Sequence, residues 1–124
     1  MNEYRLDLHI HTVLSPCACE EMTPRAIVEQ ALRAGLDMIA ICDHNSAGNA
    51  RATQQAAAGR LAVLAGMEIE SAEEVHVLGL FGSADQAESA GRDVLATLPE
   101  EKPSQWFARK ALKQPSRVRV RISA

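Results

Sequence analysis

Four histidines and a few carboxylates are the residues here best suited to chemistry. Asp7-Leu8-His9-Ile10-His11 places two imidazoles two positions apart. On a strand such a pair shares one face, about 6.5–7 Å apart along the backbone. Neutral imidazole binds zinc, manganese or iron. Asp7, on the same face, can orient a ring from behind. Taken alone, the pair reads more simply as two half-buried strand histidines. Asp43-His44-Asn45 offers a carboxylate and an imidazole suited to metal binding or acid–base work. Alone it also reads as a turn, because Asp and Asn are turn formers. Glu68, after Gly66, is a candidate bridge between two metals. The simpler alternative is a solvated strand-end charge, the reading given to Glu70, Glu73 and Glu74. His76 lies in an apolar run, where a single histidine is usually a hydrogen-bonded core residue. Cys17 and Cys19 form a Cys-x-Cys pair that can bind zinc or a softer metal, although free loop thiols are the simpler reading. Cys42 is expected in the core. Neither a glycine-rich phosphate loop nor a Gly-x-Ser-x-Gly elbow occurs.

The surrounding pattern says what must hold these groups. Residues 4–11 alternate, with Leu6, Leu8 and Ile10 on one side and Asp7, His9 and His11 on the other, so a strand is expected. Residues 12–22 lack periodicity and read as a loop. Thr23 is an N-cap and Pro24 the first helical residue. Ile27, Val28, Ala31 and Leu32 form a helical stripe that stops at Gly35. Residues 36–42 read as a buried parallel strand. Residues 47–58 read as a helix, 61–65 as a strand ended by a break at Gly66, 75–81 as a fourth strand and 84–97 as an amphipathic helix. Beyond Pro99 the pattern fades into a short helix around Trp106, Phe107 and Leu112 and an Arg-alternating stretch, Val118 to Ile122. Strands alternating with helices imply α/β with a parallel sheet. In such folds ligands bind at the C-terminal strand ends. His9 and His11, Asp43 and His44, Glu68, and His76 each belong to a different strand. Their recurrence there raises the metal reading of each, His76 included.

The composition is that of one globular domain: 124 residues, 47% hydrophobic and 23% charged. No apolar run is long enough for a membrane span, and no secretory signal opens the chain. Three cysteines imply no disulfide framework and favour a reduced, cytoplasmic compartment. Aromatics are 3%, so base-stacking platforms are scarce. All sixteen acidic residues lie in 1–101, whereas 102–124 hold seven basic residues and no acid. That step marks either a functional basic tail or a non-native C-terminus.

Taken together, Asp7-Leu-His9-Ile-His11-Thr12, Ile41-Cys-Asp43-His44-Asn45, Gly66-Met-Glu68-Ile69 and Val75-His76-Val-Leu-Gly79 resemble the polymerase and histidinol phosphatase (PHP) family. Met22-Thr23-Pro24 extends the resemblance, which spans residues 4–82. It implies a seven-stranded relative of the TIM barrel with two or three divalent ions at its C-terminal face. It also implies hydrolysis of phosphate esters, whether of small molecules, nucleotides or nucleic-acid ends. Some polymerase-associated members are proofreading or structural modules. By position, the resemblance implies that His9 and His11 bind one ion and Glu68 bridges to a second, also held by His76. His44 would bind a third with Asp43 in support, so Asp43, His44 and Glu68 are expected at the reacting centre. Such ions lower the pKa of bound water to roughly 7 in the best case, supplying hydroxide as the nucleophile, and clamp phosphoryl oxygens.

Two departures stand out. Many members carry an Asp ligand soon after the first histidine pair. Here the stretch is Ser15-Pro16-Cys17, with Cys17, Glu20 or Glu21 as substitutes. The family's later His and Asp-x-His ligands have no counterpart after His76. We therefore expect residues 1–101 to be the N-terminal portion of a PHP domain, a truncated partial barrel. Residues 102–124 are expected to be a non-native or frame-shifted tail. An open sheet would expose an edge suited to self-association. Two other readings stand beside phosphoester hydrolysis: an inactive metal-binding fragment or regulatory module, and a nucleic-acid binder using the basic tail.

Overall fold

The computed structural model describes residues 2–98. Its elements are β1 (Leu6–Ile10), α1 (Pro24–Arg33), β2 (Met38–Ile41), α2 (Ala50–Ala57), β3 (Ala62–Glu70), β4 (His76–Phe81) and α3 (Ala84–Thr97). The strands form one sheet in the order β1-β2-β3-β4. The basic tail and the segments expected around Trp106 and Val118 lie outside the described residues.

Local sequence explains the helices. Thr23 accepts a hydrogen bond from the Ala26 amide, with Pro24 opening α1. Gly35, at φ +67°, turns the chain out of it. Ile27, Val28 and Ala31 then pack with Ile39 and Ile41 of β2. Burying each large aliphatic chain there stabilises the fold by about 1.5–3 kcal/mol. Small residues bring α2 close: Ala50, Thr53 and Ala57 are its buried positions. The helix starts at Ala50 rather than 47, although Ala47 still joins the core. Ser83 caps α3 through the Gln86 amide, and Ala84 and Ala87 are buried. No helix among the described residues is long and apolar enough to cross a membrane.

Two expectations about the strands need correction. First, β3 does not break at Gly66 but runs through it to Glu70. A Cβ at Gly66 would lie 2.7 Å from Cys42 Sγ and 3.0 Å from the carbonyl oxygens of Ile41 and Gly79. Glycine there permits close strand packing and is no turn signal. Second, β1, β2 and β3 are parallel, but β4 is antiparallel to β3. Residues 71–75 are too few for a parallel crossover. They close a hairpin in which the Ser71 amide donates to the Val75 carbonyl and Glu74 adopts φ +65°. The exposed edge expected of an open sheet is β4, which leaves Val77, Leu78 and Leu80 about half exposed.

The antiparallel turn has a consequence for the site. It returns the start of β4 to the C-terminal end of β3, pairing His76 with Glu70 and Leu78 with Glu68. Between Asp7 and Ile10, β1 slips against β2, with three residue steps facing two. Bulges of this kind re-aim side chains beside functional sites.

Candidate metal centre

The polar residues converge on Glu68. Its side chain is 6% exposed and projects from near the C-terminal end of β3. Nε2 of His9, on β1, lies 2.9 Å from Glu68 Oε2. Nε2 of His11, just beyond β1, lies 3.2 Å from the same oxygen, and His44 Nδ1, beyond β2, lies 3.5 Å from it. His76 opens β4 and reaches Oε1 with Nδ1 at 2.7 Å. Its diagonal offset across the hairpin allows this contact. The rings crowd together: His11 stacks on His44 with centroids 4.6 Å apart, and His9 tilts against His11 at 4.8 Å.

This arrangement suits cations. A carboxylate oxygen has two lone pairs, yet three imidazole nitrogens surround Glu68 Oε2 within 3.5 Å. His9 Nε2 and His11 Nε2 are also 3.1 Å apart. One of two such nitrogens must donate a proton for them to attract, whereas a shared cation satisfies both lone pairs. Three groups have ligand atoms within 4.8 Å of one another: His9, His11 and Glu68; His44, Glu68 and His76; and His11, Cys17 and His44.

The charges respond to this crowding. Burial alone would raise the Glu68 pKa, but hydrogen bonds with His11, His9 and His76 outweigh it and hold the carboxyl well below its ordinary value. The bond with Glu68 conversely raises His9, against a smaller opposing effect of burial. Burial lowers His44 and raises the Cys17 thiol.

Asp43 stands apart from the rings. It is fully buried at the end of β2. Oδ1 accepts from the Thr12 amide and the Ser15 hydroxyl, each at 2.6 Å, and Oδ2 accepts from the Thr12 hydroxyl at 2.7 Å. Ser15 Oγ also accepts from the His44 amide at 3.1 Å and lies 3.2 Å from His11 Nδ1. Asn49 donates to Thr12 Oγ1 at 2.9 Å. Asp43 therefore holds the loop that carries His11 and, through Ser15, acts on the His11 ring and the His44 backbone. Asp43, expected in support of His44, bonds Thr12 and Ser15, and its link to His44 runs through the Ser15 hydroxyl.

Other expected residues move as well. Asp7 accepts from the His9 amide at 3.3 Å rather than orienting its ring. Glu70 is not a solvated charge: its side chain is 7% exposed, with Oε1 3.9 Å from His76 Nε2. Its two-residue spacing from Glu68 was the available signal, since both face the same side of β3. Glu73 and Glu74 are exposed as expected. Cys42 is buried, and burial pushes its thiol up to about 12. The Ser15 hydroxyl, in the expected loop, and Asn49, within the expected helix 47–58, carried no sequence signal beyond being polar. Asn45, at φ +51°, accepts from the Glu70 amide through Oδ1 and donates its own amide to the Glu68 carbonyl. It thereby ties the His44 turn to β3.

An α/β sheet with a histidine–carboxylate cluster at its strand ends is an arrangement that could hold metal ions. Residues 7–111 match the PHP domain, and the chain belongs to that family. The structure is similar to that of a protein provisionally described as a metal-dependent phosphoesterase from Bifidobacterium adolescentis. The two share 38% identity with a TM-score of 0.50, over 60% of this chain and 26% of that one. It is also similar to an amidohydrolase from Chromobacterium violaceum with bound sulfate and no metal. Identity there is 30% and the TM-score 0.51, over 61% of this chain and 27% of that one. The chain thus spans about a quarter of either solved relative. The expected partial PHP-type barrel is the fold found, as an open four-stranded segment. No curated protein sequence matches the chain.

Proposed function

We propose that this chain carries the metal-binding strands of a phosphoesterase acting on phosphate mono- or diesters of small molecules or nucleotides. The carrying observation is the convergence of four imidazoles on the buried Glu68 carboxylate. His9, His11 and Glu68 would hold one divalent ion, and His44, Glu68 and His76 a second. Zinc, manganese and iron(II) suit these donors. When bound, such ions activate water near neutral pH and neutralise phosphoryl charge. The protein's part is positional. Glu68 links the two groups, Ser15, held by Asp43, fixes the His11 ring and the His44 backbone, and Glu70 backs His76. Two relatives support the reading: one described as a phosphoesterase, the other bearing sulfate, a tetrahedral oxyanion shaped like phosphate.

Three free cysteines support a reducing, cytoplasmic setting. The exposed apolar residues of β4 support self-association at that edge.

The deciding experiment is elemental analysis of the purified chain beside His9→Ala and His11→Ala, followed by assays on chromogenic phosphate mono- and diesters with added manganese. Bound metal lost in both variants, with turnover in the parent, is expected. Metal without turnover would make the chain a binding module. A folded, metal-free parent would overturn the proposal.

A further inference from the structure

We propose that Cys17 is a thiolate ligand, holding a soft divalent ion together with His11 and His44. This rests on the metal-dependent reading above and assigns the third ligand group within it. The Cys17 sulfur and one nitrogen from each ring lie within 4.8 Å of one another. A tetrahedral zinc ion, with bonds of about 2.3 Å to sulfur and 2.0–2.1 Å to nitrogen, spaces such atoms by roughly 3.3–3.6 Å. Closing the remaining gap takes side-chain adjustment and no refolding.

The thiol is carried to this place by a built loop. Thr12 and Ser15 are both anchored on the buried Asp43 carboxylate. The Ala18 amide donates to the Ser15 carbonyl at 2.9 Å, forming a turn around Cys17. The same Ser15 hydroxyl contacts His11 Nδ1 and the His44 amide, so one network sets all three ligands. The other cysteines differ. Cys42 directs its buried thiol to the Leu8 carbonyl, and Cys19 is exposed and joins no such group among the described residues.

With Nδ1 of His11 on Ser15, its Nε2 is the atom offered to a metal. One nitrogen serves one ion, so the thiolate group competes with His9 and Glu68 for His11. Thiolate favours zinc, cobalt or iron(II) over magnesium and manganese. On binding, the sulfur–metal bond replaces the sulfur–hydrogen bond and the proton passes to water. Cys17 thereby sets metal preference.

Cobalt(II) titration of the full chain tests this. Expected is a near-ultraviolet sulfur-to-cobalt charge-transfer band, lost in Cys17→Ser and kept in Cys19→Ser. Cys17→Asp is expected to bind cobalt without the band, which separates ligand loss from misfolding. Zinc affinity of Cys17→Ser is expected to fall about 10–100-fold, with manganese affinity changed by less than about threefold. Histidine-dependent cobalt binding without the band, or a band surviving Cys17→Ser, overturns this assignment alone. No cobalt binding by a folded parent overturns it together with the metal reading.

Discussion

Two buried carboxylates lie at neighbouring strand ends and have opposite surroundings. Asp43, at the end of β2, is met by two hydroxyls and a backbone amide, all buried donors with fixed directions. Glu68, in β3, is met by imidazole nitrogens that can either donate a proton or bind a cation. The first environment locks a loop and the second can exchange protons for metal. Burial alone does not separate these roles, since Asp43 is 0% and Glu68 5% exposed. The chemistry of the facing donors does.

The strongest test of this contrast is Asp43→Ala. It strands the Thr12 amide and hydroxyl and the Ser15 hydroxyl, so a stability loss of about 3–5 kcal/mol is expected in urea unfolding without metal. A loss under about 1 kcal/mol would erase the distinction. Glu68→Gln should act on the other side. Two of the three ligand groups need this carboxylate, so metal affinity should fall by more than roughly 100-fold, beyond what a supporting residue costs. Equilibrium dialysis, with circular dichroism to verify folding, measures it. Equal affinity in the variant would move Glu68 into the class of Asp43.

A pH series sharpens the comparison further. The folded His9 pKa is raised above 6.5, chiefly by its bond with Glu68. Its contribution is complete below 6.5 and lost as pH rises through the folded value. The folded Glu68 pKa is lowered from 4.5, so its contribution is present above 4.5 and lost as pH falls through the folded value. The metal-free pair should therefore stabilise most between these ordinary values. Metal must displace the His9 proton, so affinity should rise with pH through the raised His9 pKa. Thermal melts with and without metal should show the optimum moving upward on loading. An unchanged optimum would disconnect His9 from metal binding. The smallest effect should come from Arg51→Ala. Arg51 joins α2 to Asp85 and Glu88 of α3 in an exposed network. Its removal should leave the urea unfolding midpoint nearly unmoved and metal affinity unchanged, since exposed ion pairs are screened by solvent. A larger metal effect would show that the helix layer communicates with the site.

Much of this site is legible from residue type and order. His9, His11, His44, Glu68 and His76 each stand on or beside a strand, and the structure brings all five together. The Thr23-Pro24 start and the Gly35 stop of α1 are equally legible, because caps act within one helical turn. Gly66 misleads: a glycine needed for close strand approach looks, in sequence, like a turn. The expected strands 61–65 and 75–81 left only nine residues between them, fewer than the dozen or so a parallel crossover takes, so that spacing already implied an antiparallel β4.

Local propensity and periodicity therefore determined the α/β alternation, the limits of α1 and α3 and the set of candidate ligands. Those signals act over a few residues, and the sequence carries them directly. Tertiary structure decided which carboxylate faces the imidazoles, which one is sealed beneath the loop, and that Cys17 reaches His11 and His44. Each of these rests on partners far apart in the chain, 59 positions for His9 and Glu68 and 31 for Thr12 and Asp43. Only strand register, a bulge and a hairpin bring such partners within bonding distance.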